Sequence, residues 1–215
     1  MSTNQGPLLS HFANLKQQYE TSQFGMWSFL LTEVLFFGGL FTGYAVYRTM
    51  YYHAFVAASL HLDIFWGTFN TAVLIASSLT MALAVHAGHA GNNKAIRNYL
   101  IWTLVLGTVF LGVKCYEYMH KWHENLIPGE HFHFPELVGH GPELFFSFYF
   151  MMTGLHAVHM IIGEVALIIF IVRAHRGRYS VQYSTPIEIM GLYWHFVDLV
   201  WIFLFPFLYL VERHH

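Results

Sequence analysis

The stretch LFFSFYFMMTGLHAVHMIIGEVALIIFIV, residues 144–172, holds one acid, Glu164, and two histidines, His156 and His159, in an otherwise almost wholly apolar run. As an α-helix rising about 1.5 Å per residue it is longer than the roughly 30 Å hydrocarbon core of a bilayer. A soluble helix of that length would need a polar face, and this one has none. It reads as a transmembrane helix that tilts or projects from the bilayer.

Four further stretches meet the same criterion of about 20 apolar residues: 24–47, 64–86, 98–116 and 189–211. The links between them are short and polar, except for residues 117–143, where Pro128, Gly129, Pro135, Gly139, Gly141 and Pro142 predict an irregular loop facing water. Composition agrees. Of the 215 residues 56% are hydrophobic, 19% aromatic and 10% charged, against about 25% charged in a soluble domain. The expected fold is an all-α integral membrane protein, a bundle of five transmembrane helices forming one domain over 1–215. No internal repeat suggests a transporter built from two halves.

Charge sets an orientation. Lys16, Lys94, Arg97, Arg173, Arg176 and Arg178 fall on the side of the N-terminus. The other side carries Arg48, Lys121 and Arg213, with Lys114 near a helix end, and most acids: Asp63, Glu117, Glu124, Glu130, Glu136, Glu143 and Glu212. The positive-inside rule therefore predicts the N-terminus inside and the C-terminus outside. The polar segment before residue 24 precedes an apolar run too long for a signal peptide. A net charge of −2 supplies no basic footprint for nucleic acid, and a single cysteine, Cys115, supports neither a disulfide framework nor a thiolate metal cage. The terminal His214 and His215 carry no weight in the reading.

Polar residues inside the spans are the candidates for function. Glu33 lies near the middle of the first span, in WSFLLTEVLFFGG at 27–39, where an unpaired carboxylate costs at least about 2.5 kcal/mol. A proton-linked or lipid-contacting acid and a neutral acid bonded to a neighbouring helix are the two readings. His156 and His159 share one helical face, with Glu164 rotated about 80° from His156. Two histidines on one helix make an incomplete metal site, so interhelical hydrogen bonding or headgroup contact is expected of them. In YWHFVDLVW at 193–201, His195 and Asp198 also share a face and could neutralise each other, as helix glue or in a proton-linked role. Glu117–His120 and Glu130–His133 each form E-x-x-H, the unit of di-iron bundles, but Pro128 and Gly129 put the second motif in loop and favour a hydrated, His-rich segment. Gly39-x-x-x-Gly43, Thr103-x-x-x-Gly107 and Thr108-x-x-x-Gly112 predict close helix packing. No nucleophile–base motif is present.

Four blocks, in order, give the chain a resemblance: Trp27-Ser-Phe-Leu-Leu-Thr-Glu33, Phe110-Leu-Gly-Val-Lys-Cys-Tyr-Glu-Tyr118, Met152-Thr-Gly-Leu-His-Ala-Val-His159 and Tyr193-Trp-His-Phe-Val-Asp-Leu-Val-Trp201. The chain resembles subunit III of the haem-copper respiratory oxidases, the cytochrome c oxidase subunit III family. The resemblance implies a non-catalytic subunit of the bacterial inner (plasma) membrane that packs on the haem-bearing subunit I beside subunit II. It also implies phospholipid binding and support of proton uptake during reduction of oxygen to water. Glu33 corresponds to the family's buried carboxylate, and His156, His159, His195 and Asp198 to its polar positions near lipid and helix contacts. Haems and copper are expected on partner subunits and no metal or cofactor on this chain. The chain departs from the seven-span mitochondrial type, resembling shorter bacterial members that begin at the third span. The electron donor, cytochrome c or quinol, is chosen by other subunits, and a relative associated with nitric oxide reduction shares the pattern. A free-standing membrane metalloenzyme built on the same histidines, or a proton channel through Glu33, are the readings from other classes.

Overall fold

A computed structural model describes residues 12, 14–129, 132–134, 139–181 and 183–211. Among them are six helices: α1 (Leu15–Met50), α2 (Tyr52–Leu60), α3 (Ile64–His89), α4 (Asn93–His123), α5 (His140–His175) and α6 (Thr185–Tyr209). Five are long and apolar enough to cross a membrane, the number expected; α2 is not. Apart from the helices, the described residues contain only an isolated bridge between Ser180 and Tyr183.

Short polar side chains set the helix starts. The Asn14, Asp63 and Asn92 side chains accept hydrogen bonds from the backbone N–H groups of Gln17, Phe65 and Ala95, occupying donors that the first turn leaves free. The α3–α4 hairpin turns on Gly91, whose φ of +66° is left-handed, and the Asn92 N–H donates back to the Ala87 carbonyl. Gly177 ends α5 with the same φ, and the Arg178 N–H donates to the Arg173 carbonyl.

Helices α3, α4, α5 and α6 form the core of the bundle. α6 is the most enclosed, with 56% of its most apolar stretch buried, against 17% for α1. α1 touches α5 and α6 along one seam, in which Leu30, Phe37 and Tyr44 are buried at intervals of seven residues. Tyr44 also donates its hydroxyl hydrogen to the Phe207 carbonyl on α6, at 2.8 Å.

Three expectations change. α4 does not stop at residue 116 but runs to His123, so the first seven residues assigned to the loop are helical. They stay helical with Glu117 and Lys121, each about 5% exposed or less, turned inward, Glu117 to Lys114 and Lys121 to Glu124 at the end of the helix. The first link is not merely polar: Tyr52–Leu60 folds into α2, which packs on α5 where Gly141 comes close to Ala54. Of the small residues, Thr103 and Gly107 do meet neighbouring helices, and Gly43 meets Phe148, but Gly39 and Gly112 have no neighbour near enough to pack against.

Candidate functional site: the polar interior of the bundle

α1 and α5 bring Glu33 and His159 together, with His159 Nε2 3.2 Å from Glu33 Oε2 and both side chains mostly enclosed. His159 Nδ1 lies 2.9 Å from the Leu155 carbonyl oxygen, so Nδ1 carries hydrogen and donates to it. Nε2 therefore faces the Glu33 carboxyl across the α1–α5 interface, and each group gives the other a polar partner at a depth where burial alone is costly. Phe37 packs on the imidazole at 5.5 Å, and Tyr193 donates its hydroxyl hydrogen to the His159 carbonyl at 2.9 Å.

The other predicted residues do not join this pair. His156 is 1% exposed, lies between the rings of Phe110 and Trp201 at 5.4 and 5.3 Å, and has neither nitrogen hydrogen-bonded. The helical neighbours His156 and His159 thus serve different contacts. Glu164 is directed toward α4, where its Oε1 is buried without a hydrogen-bond partner beside Gly107. His195 and Asp198 do not form the ion pair their spacing suggested. His195 Nδ1 sits 2.7 Å from the Ser78 hydroxyl on α3, and both Asp198 oxygens are buried with no hydrogen-bond partner. Sharing a face of one helix left the two side chains free to reach in different directions.

A second polar centre escaped sequence reasoning. Lys114 and Glu117, each 4% exposed, form an ion pair at 2.9 Å inside the bundle. The ammonium also donates to the hydroxyls of Tyr149 at 3.1 Å and Tyr209 at 2.9 Å, so its three hydrogens are all taken. Both tyrosines donate to Glu117 Oε1 in return. The rings of Tyr118, Tyr149, Trp201 and Tyr209 stand 5.1–5.5 Å from the ammonium, a cation–π cage. The i, i+3 spacing of Lys114 and Glu117 was the available signal, hidden by ending the helix at residue 116, two turns early and just before Glu117. Of the two E-x-x-H motifs, the first is split: Glu117 faces inward, while His120 pairs with Glu124 at 3.3 Å. In the second, Glu130 and His131 lie outside the described residues.

At the same end of the bundle Glu117 also lines a polar pocket of about 340 Å³ with Asp63, Trp66 and Lys121. Glu124, just past α4, feels burial pushing its pKa up, but the hydrogen bond and charge of Lys121, helped by His120, outweigh this and hold it below the usual carboxylate value. A larger groove of about 800 Å³ runs along α4 and α5 between Leu111, Met119, Trp122, Phe150 and Ile161. Among the described residues, no three His, Cys, Asp or Glu side chains gather closely enough to hold a metal ion.

Comparison with known proteins identifies the family of the chain. The chain is 32% identical over 192 residues to a cytochrome c oxidase subunit 3 of Thermostichus vulcanus, covering 88% of this chain and 87% of that protein. It is 31% identical over 202 residues to a quinol oxidase subunit 3 of Bacillus spizizenii, covering 93% of each. A cytochrome c oxidase subunit 3 of Papio hamadryas is 30% identical over 200 residues, 87% of this chain but 68% of the longer relative. The family model described as cytochrome c oxidase subunit III matches residues 10–212. With five membrane-crossing helices and this match over nearly its whole length, the chain belongs to the cytochrome c oxidase subunit III family, as a subunit of a respiratory oxidase complex.

Proposed function

We propose that the chain is a non-catalytic subunit of a proton-pumping cytochrome c oxidase in a bacterial inner membrane, oriented with its N-terminus inside. It stabilises the haem-bearing subunit I beside subunit II and supports proton uptake during reduction of oxygen. The haems and copper sit on those partners. The observation that carries the reading is the Glu33–His159 contact, an acid and an imidazole 3.2 Å apart and mostly enclosed between two membrane helices. Ionisable groups at that depth favour a proton-linked role, and their place between α1 and α5 makes them sensitive to how α1 sits. Phospholipid binding is supported by the α4–α5 groove, whose apolar walls suit an acyl chain and whose Trp122 and His123 lie toward the end of α4. A second reading, the same subunit in a quinol oxidase, is favoured by the relative of that name.

Two measurements test this. Tagged chain extracted gently from its own membranes should bring with it a haem-bearing polypeptide; a preparation with no visible haem absorption sinks the reading, and a copper-bearing subunit in it favours cytochrome c over quinol. Glu33→Gln should leave the complex assembled yet lower oxygen turnover, or its persistence through repeated cycles, by about 2- to 30-fold, the span expected when a remote group perturbs a coupled site by 0.5–2 kcal/mol. Unchanged turnover, durability and lipid content would reduce Glu33 to a helix contact.

A further inference from the structure

Glu33 meets His159 across the seam where α1, the least enclosed of the long helices, lies against the rest of the bundle. On α1 the residues one turn either side of Glu33 are aromatic, and both touch α6. Phe29 stacks on Tyr193 at 6.1 Å, and Phe37 meets Phe196 edge-on at 6.5 Å. Tyr193 and Phe196 are three apart and share one face of α6. Tyr193, 8% exposed, also ties α6 to α5, because its hydroxyl donates to the His159 carbonyl oxygen at 2.9 Å. That oxygen has two lone pairs and the helix ladder uses one, which leaves one for a donor from outside. Gly163, one turn further along α5, opens the approach: a Cβ there would stand 3.1 Å from Tyr193 Cε1.

We propose that Tyr193 is a positioning residue for the Glu33–His159 contact, holding α1 and α5 at the separation at which the carboxyl meets Nε2. The inference rests on the reading that Glu33 has a proton-linked role, and it names a residue through which that role is set. From a third helix, Tyr193 touches both helices that carry the contact: Phe29, one turn before Glu33 on α1, and His159 itself on α5. The Glu33 carboxyl also lies within electrostatic reach of the Tyr193 hydroxyl. A flexible glutamate side chain keeps one geometry only where the backbone beneath it is fixed, and functional contacts tolerate about 0.5 Å of play. The bond from His159 Nδ1 to the Leu155 carbonyl orients the imidazole, but it lies within α5 and does not place α1. Tyrosine differs from phenylalanine here by one bond. A phenylalanine would fill the same notch and stack on Phe29, yet leave the His159 turn untied to α6.

The test uses the intact complex in its native membrane and reads the infrared band of the Glu33 carboxyl, identified as the one that Glu33→Gln removes. Tyr193→Phe keeps the ring and should shift that band, because its frequency reports what the carboxyl bonds to. An unshifted band overturns the proposal. Should Tyr193→Phe fail to fold, Phe29→Leu carries the test from the α1 side with the hydroxyl kept, and an unshifted band there overturns it. Turnover separates positioning from general support of the bundle. Where Glu33→Gln lowers oxygen turnover or its persistence, Tyr193→Phe should lower it too, and the double variant should fall no further than Glu33→Gln alone. Undiminished turnover and persistence in Tyr193→Phe, or single losses that multiply in the double variant, overturn the inference, since a residue that only supports the fold acts independently of Glu33. If Glu33→Gln changes nothing, the proton-linked reading of Glu33 falls and the band alone decides the role of Tyr193.

Discussion

At the position of Lys114 the bundle holds a full ion pair away from water, and its energetics follow from how completely it is satisfied. Removing one member strands the other. Lys114→Met should cost about 3–5 kcal/mol, whereas Lys114→Met combined with Glu117→Leu should recover most of the loss, since two apolar groups leave no buried charge. Equilibrium unfolding in mixed detergent micelles, taken around the double-mutant cycle, checks this, and two single-site costs that simply add would show that the residues act independently. Glu33 was legible in the sequence because an acid in the middle of an apolar run demands a partner, but that His159 is the partner was not, since its spacing grouped it with His156 on its own helix. Lys114 was not, because its four-ring cage draws on Tyr118, Tyr149, Trp201 and Tyr209, which only the tertiary fold assembles. Asp198 was half legible: its burial followed from its span, its lack of a partner within the chain did not.

Helix packing turns on Trp194, which α6 inserts among three neighbours. Its indole is fully buried, donates Nε1–H to the Ser77 hydroxyl of α3, and occupies the space left by Gly107 of α4 and Gly163 of α5. A Cβ added at Gly163 would stand 3.0 Å from the Trp194 ring and 3.1 Å from the Tyr193 ring, both rigid groups. Gly163→Leu should therefore lose at least about 1–3 kcal/mol, the usual cost of overpacking, and wedge α5 from α6. Thermal aggregation of the purified chain compared with Gly154→Leu measures it, because an added Cβ at Gly154 meets only the Tyr118 hydroxyl, at 3.7 Å. Existence and type of the five spans could be read from apolar length. Their ends could not: α1 starts at Leu15, well before the apolar run, α4 outlasts its own, and the nine residues of α2 are too few to give a spanning signal. A helix continues past its apolar stretch wherever caps and tertiary partners hold it, and neither is visible in hydropathy.

Across the whole molecule, the clustering of Arg173 in the last turn of α5 with Arg176 and Arg178 just beyond it makes orientation testable. With Cys115 replaced, a cysteine at Arg176 should react with a membrane-impermeant maleimide only after the inner face of the membrane is opened. Labelling of intact cells would invert the topology and put the polar pocket lined by Glu117 on the inner side. α1 is the least embedded of the five long helices, held by Leu30, Phe37 and Tyr44 at a strict seven-residue interval. Apolar contacts repeating every seven residues are nearly blind to a slide of one repeat, about 10.5 Å along the axis. Glu33 lies three residues after Leu30, on that same seam, and it is the acid of the stretch. A slide by one repeat would set Met26 or Leu40 opposite His159 instead. The single carboxyl that meets an imidazole across the interface therefore also fixes the register of α1, as one polar residue fixes alignment in a coiled coil, so that any variant removing it should be checked first for a shifted helix.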